Sequence, residues 1–222
     1  MNTEINKRIL TSIILLSILY LSFIFKYVLL ITLIIISVII WIEFKLLIDK
    51  IFKKNKTQGV IIKFLLKVAI LIYLSFFSII CWKVFSGNMG PEFKFISLYF
   101  LCICIVSDIG GLIVGKIFKG KKLTKISPNK TISGSIGSFF FSIILLIIYI
   151  SISPNNNFYF LLLLTLTISL ISQIGDLIIS YIKRKAKVKD TSNILPGHGG
   201  LLDRLDGILF ALPIGVLIIT CI

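Results

Sequence analysis

Seven long apolar stretches constrain this chain more than anything else in it. They lie at about 9–25, 27–44, 61–82, 94–115, 132–152, 158–180 and 201–222. Each approaches or exceeds the roughly 18–20 residues that a helix needs to cross a bilayer's hydrocarbon core. The chain is 57% hydrophobic with a mean hydropathy of +1.06, and only 15% of it is charged. Soluble domains carry about a quarter charged residues. In lipid, only helices and closed barrels satisfy their own backbone groups. Barrel strands alternate apolar and polar residues, whereas these runs are continuous. The expected fold is an all-α polytopic membrane protein, a bundle of about seven transmembrane helices. An eighth would arise if Gly110–Gly111 broke the long fourth run. No polar linker is long enough to separate domains, so residues 1–222 read as one integral membrane domain. Within it, 1–93 carries few polar motifs and 94–222 carries the candidate chemistry. The first run follows Lys7 and Arg8 but is too long for a signal h-region and lacks a small-residue cleavage site, so it reads as a retained span.

The net charge of +15 is not spread evenly. Cations crowd before the first run, after the second (Lys45, Lys50, Lys53, Lys54, Lys56), after the fourth (Lys116, Lys119, Lys121, Lys122, Lys125, Lys130) and after the sixth (Lys183, Arg184, Lys185, Lys187, Lys189). The alternate loops are nearly bare. With seven spans every rich loop falls on one side, which the positive-inside rule makes cytoplasmic, with the N-terminus inside. The expected location is the cell's inner (plasma) membrane. Cations beside apolar spans set topology and attract anionic lipid, so the charge is read as membrane-directed, with no nucleic-acid partner. Four cysteines sit in apolar surroundings without metal-ligand spacing, and are read as buried small hydrophobes. Glu43 and Lys45 read as interfacial anchors near a span end. Lys63 and Lys67, one turn apart, are expected to snorkel to the interface.

Polar chemistry concentrates in three places. The first is S-D-I-G-G-L-I-V-G at 107–115, where Asp108 lies inside apolar sequence. An unpaired carboxylate there is costly. It reads either as a packing residue beside small neighbours or as a carboxylate lining a wet cleft. The second is S-P-N-K-T at 127–131. Ser127 can cap a helix begun by Pro128, which would place Lys130 and Thr131 in a first turn that favours anions. Capping and phosphate binding weigh equally there, and the G-x-x-x-x-G-K-[ST] pattern of a P-loop is absent.

The third place runs from Q-I-G-D at 173–176 through SYIKRKAKVKDTSNILPGHGGLLDRLDG at 180–207. Asp176, Ser180 and Lys183 share one helix face. Pro196 and the glycines surround the only histidine, His198. Asp203, Arg204 and Asp206 open the last span. Carboxylates from separate helices (Asp108, Asp176, Asp203, Asp206) are hard oxygen ligands suited to Mg²⁺, which bridges substrate phosphates. Lys130, Lys183, Arg184, Lys189 and Arg204 can hold the remaining phosphate charge. Such equipment serves phosphoryl or nucleotidyl transfer, where positioning and charge neutralisation dominate. An attacking phosphate oxygen is already anionic, so no strong base is required, and the histidine reads as a ligand-orienting group.

The stretch S-Y-I-K-R-x-x-x-V-K-D-x-x-x-x-L-P-G-H-G-G-L-L-D-R-L-D resembles the signature of the phosphatidate cytidylyltransferases, or CDP-diacylglycerol synthases. The resemblance is carried by Ser180, Lys183, Arg184, Lys189, Asp190, Pro196, His198, Gly199, Gly200, Asp203, Arg204 and Asp206. Q-x-G-D at 173–176, S-P-x-K-T at 127–131 and S-D-x-G-x-x-x-G at 107–115 also resemble family motifs. The resemblance implies transfer of CMP from CTP to phosphatidic acid, giving CDP-diacylglycerol and pyrophosphate. It implies Mg²⁺ on Asp176 and Asp203, with a second, monovalent cation such as K⁺, and a homodimer. Asp176, Asp203, Lys183 and Arg204 would be catalytic. Ser127, Lys130, Thr131, Ser180, Arg184, Lys189, Asp190, His198, Asp206 and Asp108 would bind substrate or shape the site. Two departures stand out. Ser133–Gly134 stands where the family usually has Glu-Gly, and the chain is short, so its N-terminal half is expected to be trimmed.

Rival functions make different demands. CDP-alcohol phosphotransferases place D-G before A-R with two further aspartates, whereas Asp206–Gly207 is followed by ILFALP. A transporter or lipid-binding scaffold would spread charge across the bilayer and repeat itself internally; here no repeat is visible and the charges crowd one face.

Overall fold

The computed structural model describes residues 2–52, 57–124, 127, 130–152, 157–194 and 199–221, and the side chains of these apart from 2–9, 57 and 58. Seven helices account for most of them: α1 (Asn2–Ile24), α2 (Lys26–Ile51), α3 (Thr57–Phe85), α4 (Pro91–Phe118), α5 (Ile132–Ile152), α6 (Phe158–Lys185) and α7 (Leu202–Thr220). Each coincides with one of the seven apolar runs, and no strand ladder occurs among the described residues. The protein is an all-α polytopic membrane protein. Five helices are long and apolar enough to cross a membrane: α2, α3 over Gly59–Phe85, α4, α5 and α6. The apolar part of α1, Leu10–Ile24, is shorter, and α7 begins among charges.

The chain divides into two compact units. One comprises residues 1–90 with 182–205, so the signature loop belongs with the N-terminal helices. The other comprises 91–181 with 206–222.

In the first unit α1 turns into α2 through one extended residue, Phe25 (φ −109°, ψ 115°). Ser22 and Thr32 hydroxyls meet across the turn at 3.1 Å. Ser37 and Ser78 join α2 to α3 at 2.6 Å. At the other end of that pair, Asp49 accepts both Lys63 (2.7 Å) and Lys67 (2.8 Å). The two lysines thus meet a carboxylate on α2. Large apolar side chains on α1, α2 and α3 stay exposed, as a lipid-facing surface requires.

In the second unit, α4 crosses α5 at backbone contact. A Cβ on Gly110 would stand 2.8 Å from the Gly137 carbonyl oxygen, and one on Gly134 2.8 Å from that of Gly111. The eighth helix that Gly110–Gly111 would have produced does not form. Both glycines lie within the continuous α4, and their missing side chains let α5 approach, the small-residue packing expected between membrane helices. Ser138 donates to the Ser107 carbonyl at 2.7 Å, and Ser107 and Ser169 hydroxyls join α4 to α6 at 3.0 Å. Below them lies an apolar core of Phe100, Ile103, Leu146, Leu161, Leu164 and Ile168. Tyr99 stacks on Tyr149 (4.2 Å between ring centres) and bonds Thr165 at 2.6 Å. Cys102 faces outward while Cys104 is buried, the divergence that a helix imposes on C-x-C.

Candidate active site

The signature residues fall into two polar clusters, one in each unit.

In the second unit the α4–α5 connection folds back on itself. Lys122 and Thr131 form an antiparallel bridge, Leu123 N–H donates to the Lys130 carbonyl (2.8 Å) and Ile132 N–H to that of Lys121 (2.9 Å). This corrects the expected helix start. Helix α5 begins at Ile132, and its cap is Thr131, whose hydroxyl accepts the Gly134 N–H at 3.0 Å. Ser127 lies ahead of that start and does not cap α5; its carbonyl accepts the Lys130 N–H at 3.1 Å. Pro128 lies outside the described residues. The bridge at Thr131 leaves Lys130 ahead of α5, outside its first helical turn.

From that position Lys130 forms an ion pair with Asp176 Oδ2. Asp176 Oδ1 accepts the Ser180 hydroxyl at 3.3 Å, one turn along α6. Asp206 lies within hydrogen-bonding reach of Asp176, and Asp108 is close enough for its charge to act on both. The packing that brings them together is again glycine against backbone: a Cβ on Gly175 would stand 2.8 Å from the Asp206 carbonyl, and one on Gly207 would collide with Ser172 Oγ. Three carboxylates therefore gather, and Lys130 pairs with one of them, Asp176.

The first unit holds the other cluster. Helix α6 ends with Lys183, Arg184 and Lys185 in its last turn, where cations complement the helix dipole. The stop is a Schellman motif: Val188 N–H returns to the Lys183 carbonyl (3.0 Å), Lys187 N–H to that of Arg184 (3.1 Å), and Lys187 takes the left-handed conformation (φ 57°). Lys183 Nζ then meets Asp203 Oδ1 at 2.6 Å. Asp203 Oδ2 collects three donors: Thr191 N–H (2.8 Å), the Thr191 hydroxyl (3.0 Å) and Gly200 N–H (3.3 Å). Arg184, Lys189, Asp190 and Arg204 are exposed around this cluster. His198 lies outside the described residues.

Residues 1–222 match the Cytidylyltransferase family along their whole length. The chain belongs to that family. Among its relatives are proteins named phosphatidate cytidylyltransferase. That of Staphylococcus aureus (strain COL) is 43% identical over 119 residues, 53% of this chain and 46% of the relative. That of Bacillus subtilis (strain 168) is 40% identical over 119 residues, 52% of this chain and 44% of the relative. That of Helicobacter pylori (strain ATCC 700392 / 26695) is 37% identical over 113 residues, 51% of this chain and 42% of the relative. The matched segment thus spans a little under half the length of these curated relatives.

One residue of this cytidylyltransferase-family chain escaped the motif reading. Glu43, expected as an interfacial anchor, is fully buried. It accepts hydrogen bonds from the Thr191 and Ser192 hydroxyls and from the N–H groups of Leu201 and Leu202. The signal was present in the sequence: a carboxylate set between Ile42 and Phe44 inside an apolar run, the same oddity that singled out Asp108.

Among the described residues no group of three or more His, Cys, Asp or Glu side chains is arranged to hold a metal ion. A divalent ion that keeps several waters needs only one or two carboxylates from the protein. Asp176 and Asp206, within hydrogen-bonding reach of one another and with Lys130 paired only to Asp176, meet that lesser demand. Asp203 meets it less readily, since Oδ2 already has three donors and Oδ1 holds Lys183.

Proposed function

We propose that this protein is a phosphatidate cytidylyltransferase, which transfers CMP from CTP to phosphatidic acid and releases pyrophosphate, forming CDP-diacylglycerol for phospholipid synthesis. The observation that carries the reading is the crowding of Asp108, Asp176 and Asp206, with Lys130 paired to Asp176. Like charges gathered so closely are tolerated where the ligand brings cations with it. The family membership and the names of the relatives narrow the ligand to a cytidine nucleotide and a lipid phosphate.

Mg²⁺ would supply charge neutralisation on the phosphates. Asp176 and Asp203 are the ligands that the signature resemblance implies, with Asp206 beside Asp176. A monovalent cation such as K⁺ would assist. The chain's own residues do the rest. Lys130, Lys183, Arg184 and Arg204 hold phosphate oxygens as charge-assisted donors, with Lys189 nearby in sequence. Ser180 orients Asp176, and Asp203 holds Lys183. The lipid phosphate oxygen attacks the α-phosphorus as an anion, so no side chain has to remove a proton first. The protein acts as a homodimer in the plasma membrane, with its N-terminus and its active site on the cytoplasmic side, where basic loops and soluble nucleotide meet.

The test is radiolabelled CTP and phosphatidic acid supplied to membranes bearing wild type or Asp203→Ala. Wild type is expected to form CDP-diacylglycerol with Mg²⁺, and the variant about 10²-fold less or lower still. Equal product from the two would remove Asp203 from the site. No product from wild type would overturn the function.

A further inference from the structure

Glu43 lies on α2, outside every motif, yet among the described residues the hydrogen bonds it accepts come from the signature loop and the start of α7. Its partners lie 148 to 159 residues away in the chain. They also lie at the two ends of one segment. Thr191 and Ser192 enter the loop, and Leu201 and Leu202 leave it where α7 begins. Oε1 takes the Ser192 hydroxyl (2.5 Å) and Leu201 N–H (3.0 Å); Oε2 takes the Thr191 hydroxyl (3.1 Å) and Leu202 N–H (2.7 Å). Each oxygen thus binds one donor from each end. A single carboxylate closes the neck of the Gly-His-Gly-Gly loop, and at the same time satisfies two N–H groups of the opening turn of α7 that have no intrahelical acceptor.

The same neck carries the reactive geometry. Thr191 stands within hydrogen-bond distance of both Glu43 Oε2 and Asp203 Oδ2, and its one hydroxyl proton bridges them. Asp203 in turn holds Lys183. Gly200 completes the closure. A Cβ there would collide with Thr191 Oγ1 and stand 2.8 Å from Glu43 Oε1, so a side chain would force the neck open.

We propose that Glu43 is a positioning residue for the transfer reaction: it pins both ends of the signature loop and so fixes Asp203 opposite Lys183 before substrate arrives. The role rests on the function proposed above. It calls for a carboxylate of this length. Glutamine would turn an NH₂ group toward two of the four donors. Aspartate, one methylene shorter, would leave part of the neck unheld. Once unpinned, the loop spends part of its time in arrangements that do not bind nucleotide, and apparent affinity falls by that fraction.

The experiment compares full-length wild type with Glu43→Gln and Glu43→Asp in detergent or nanodiscs, by steady-state kinetics, thermal unfolding and hydrogen exchange of peptides covering 191–202. The KM for CTP is expected to rise about 10- to 100-fold, the scale on which residues supporting a reactive group act, while kcat at saturation stays within about threefold. Exchange is expected to quicken in 191–202 and not in α4 or α5. Thr191→Ser, which keeps the bridging hydroxyl, should retain more activity than Thr191→Val. A residue needed only for folding behaves differently: part of the sample dies, kcat falls, KM of the survivors is unchanged and exchange rises throughout. That pattern, or wild-type kinetics in Glu43→Gln, overturns the proposal. Absence of product from wild type refutes the function, and the exchange of 191–202 then decides the pinning alone.

Discussion

Replacing Asp203 by asparagine keeps its shape and removes one acceptor, which makes it a sharp probe of the Lys183 pair. The Lys183 side chain is 15% exposed and that of Asp203 11%, so the contact lies between a surface pair and a buried one. Exposed pairs are worth up to about 1 kcal/mol, and breaking a buried one costs about 3–5 kcal/mol. About 2 kcal/mol is a fair value for the lost pair. The amide brings a second cost. With its oxygen toward Thr191 and Gly200, its NH₂ faces the Lys183 ammonium; flipped, it faces two backbone N–H groups. Each mismatched donor adds about 1 kcal/mol. Asp203→Asn should therefore destabilise the protein by about 3 kcal/mol, a fall in Tm of about 6–12 °C for a chain of this size. Lys183→Met should cost less, about 2 kcal/mol, because the three donors on Oδ2 keep their acceptor. The double variant should be milder than the sum by about 1–2 kcal/mol. With the exposed Cys102 and Cys221 replaced by serine in every variant, buried Cys81 and Cys104 provide the assay, since a thiol-reactive dye reports their exposure as solubilised protein is heated. Additivity within about 0.5 kcal/mol would show that Lys183 and Asp203 do not support one another, and the assignment of the pair would fail.

Other perturbations test the second unit. Gly137→Ala puts a Cβ into Val114 and 2.9 Å from the Gly110 carbonyl; the helices must part, at about 1–3 kcal/mol, seen as a lower Tm. Thr131→Val removes the hydroxyl that caps α5 and should cost about 1 kcal/mol by the same measurement, with Thr131→Ser close to wild type. Lys130→Gln strips the cation from Asp176, so activity in the CTP assay should fall at least about tenfold, and a variant as active as wild type would remove Lys130 from the site.

The helices were legible because the bilayer imposes a length on them. Each apolar run became one helix, and α5 matches its run residue for residue. What the runs did not reveal was continuity and capping. Gly110–Gly111 reads as a breaker when only propensity is considered, yet propensity is overruled when a second glycine-bearing helix closes the gap from outside. Ser127–Pro128 reads as a helix start on local grounds. The bridge between Lys122 and Thr131, with the Ile132 N–H held by the Lys121 carbonyl, moved the start to Ile132. Local signals mark where a helix can begin, while a hydrogen-bond partner supplied from elsewhere decides where it does.

Within the site the legible part was the set of residues that share a motif, and the hidden part was what satisfies them. Lys183 and Asp203 belong to one signature, and Asp176 and Ser180 share one helix face; both pairs meet in space. Nothing in the signature names an acceptor for Ser192, Leu201 and Leu202. A glycine-rich loop entering an apolar helix nonetheless exposes N–H and O–H groups that must be paired wherever water is excluded. That deficit of acceptors is legible in the residue types themselves: the loop offers donors in excess, and a carboxylate waits in a distant span with no cation three or four residues away. Matching an orphan acceptor to a donor-rich loop is a stronger argument than judging either by its own neighbours. Applied to α2, it joins Glu43 to the loop and makes helices that looked like mere membrane anchor part of the support for the chemistry.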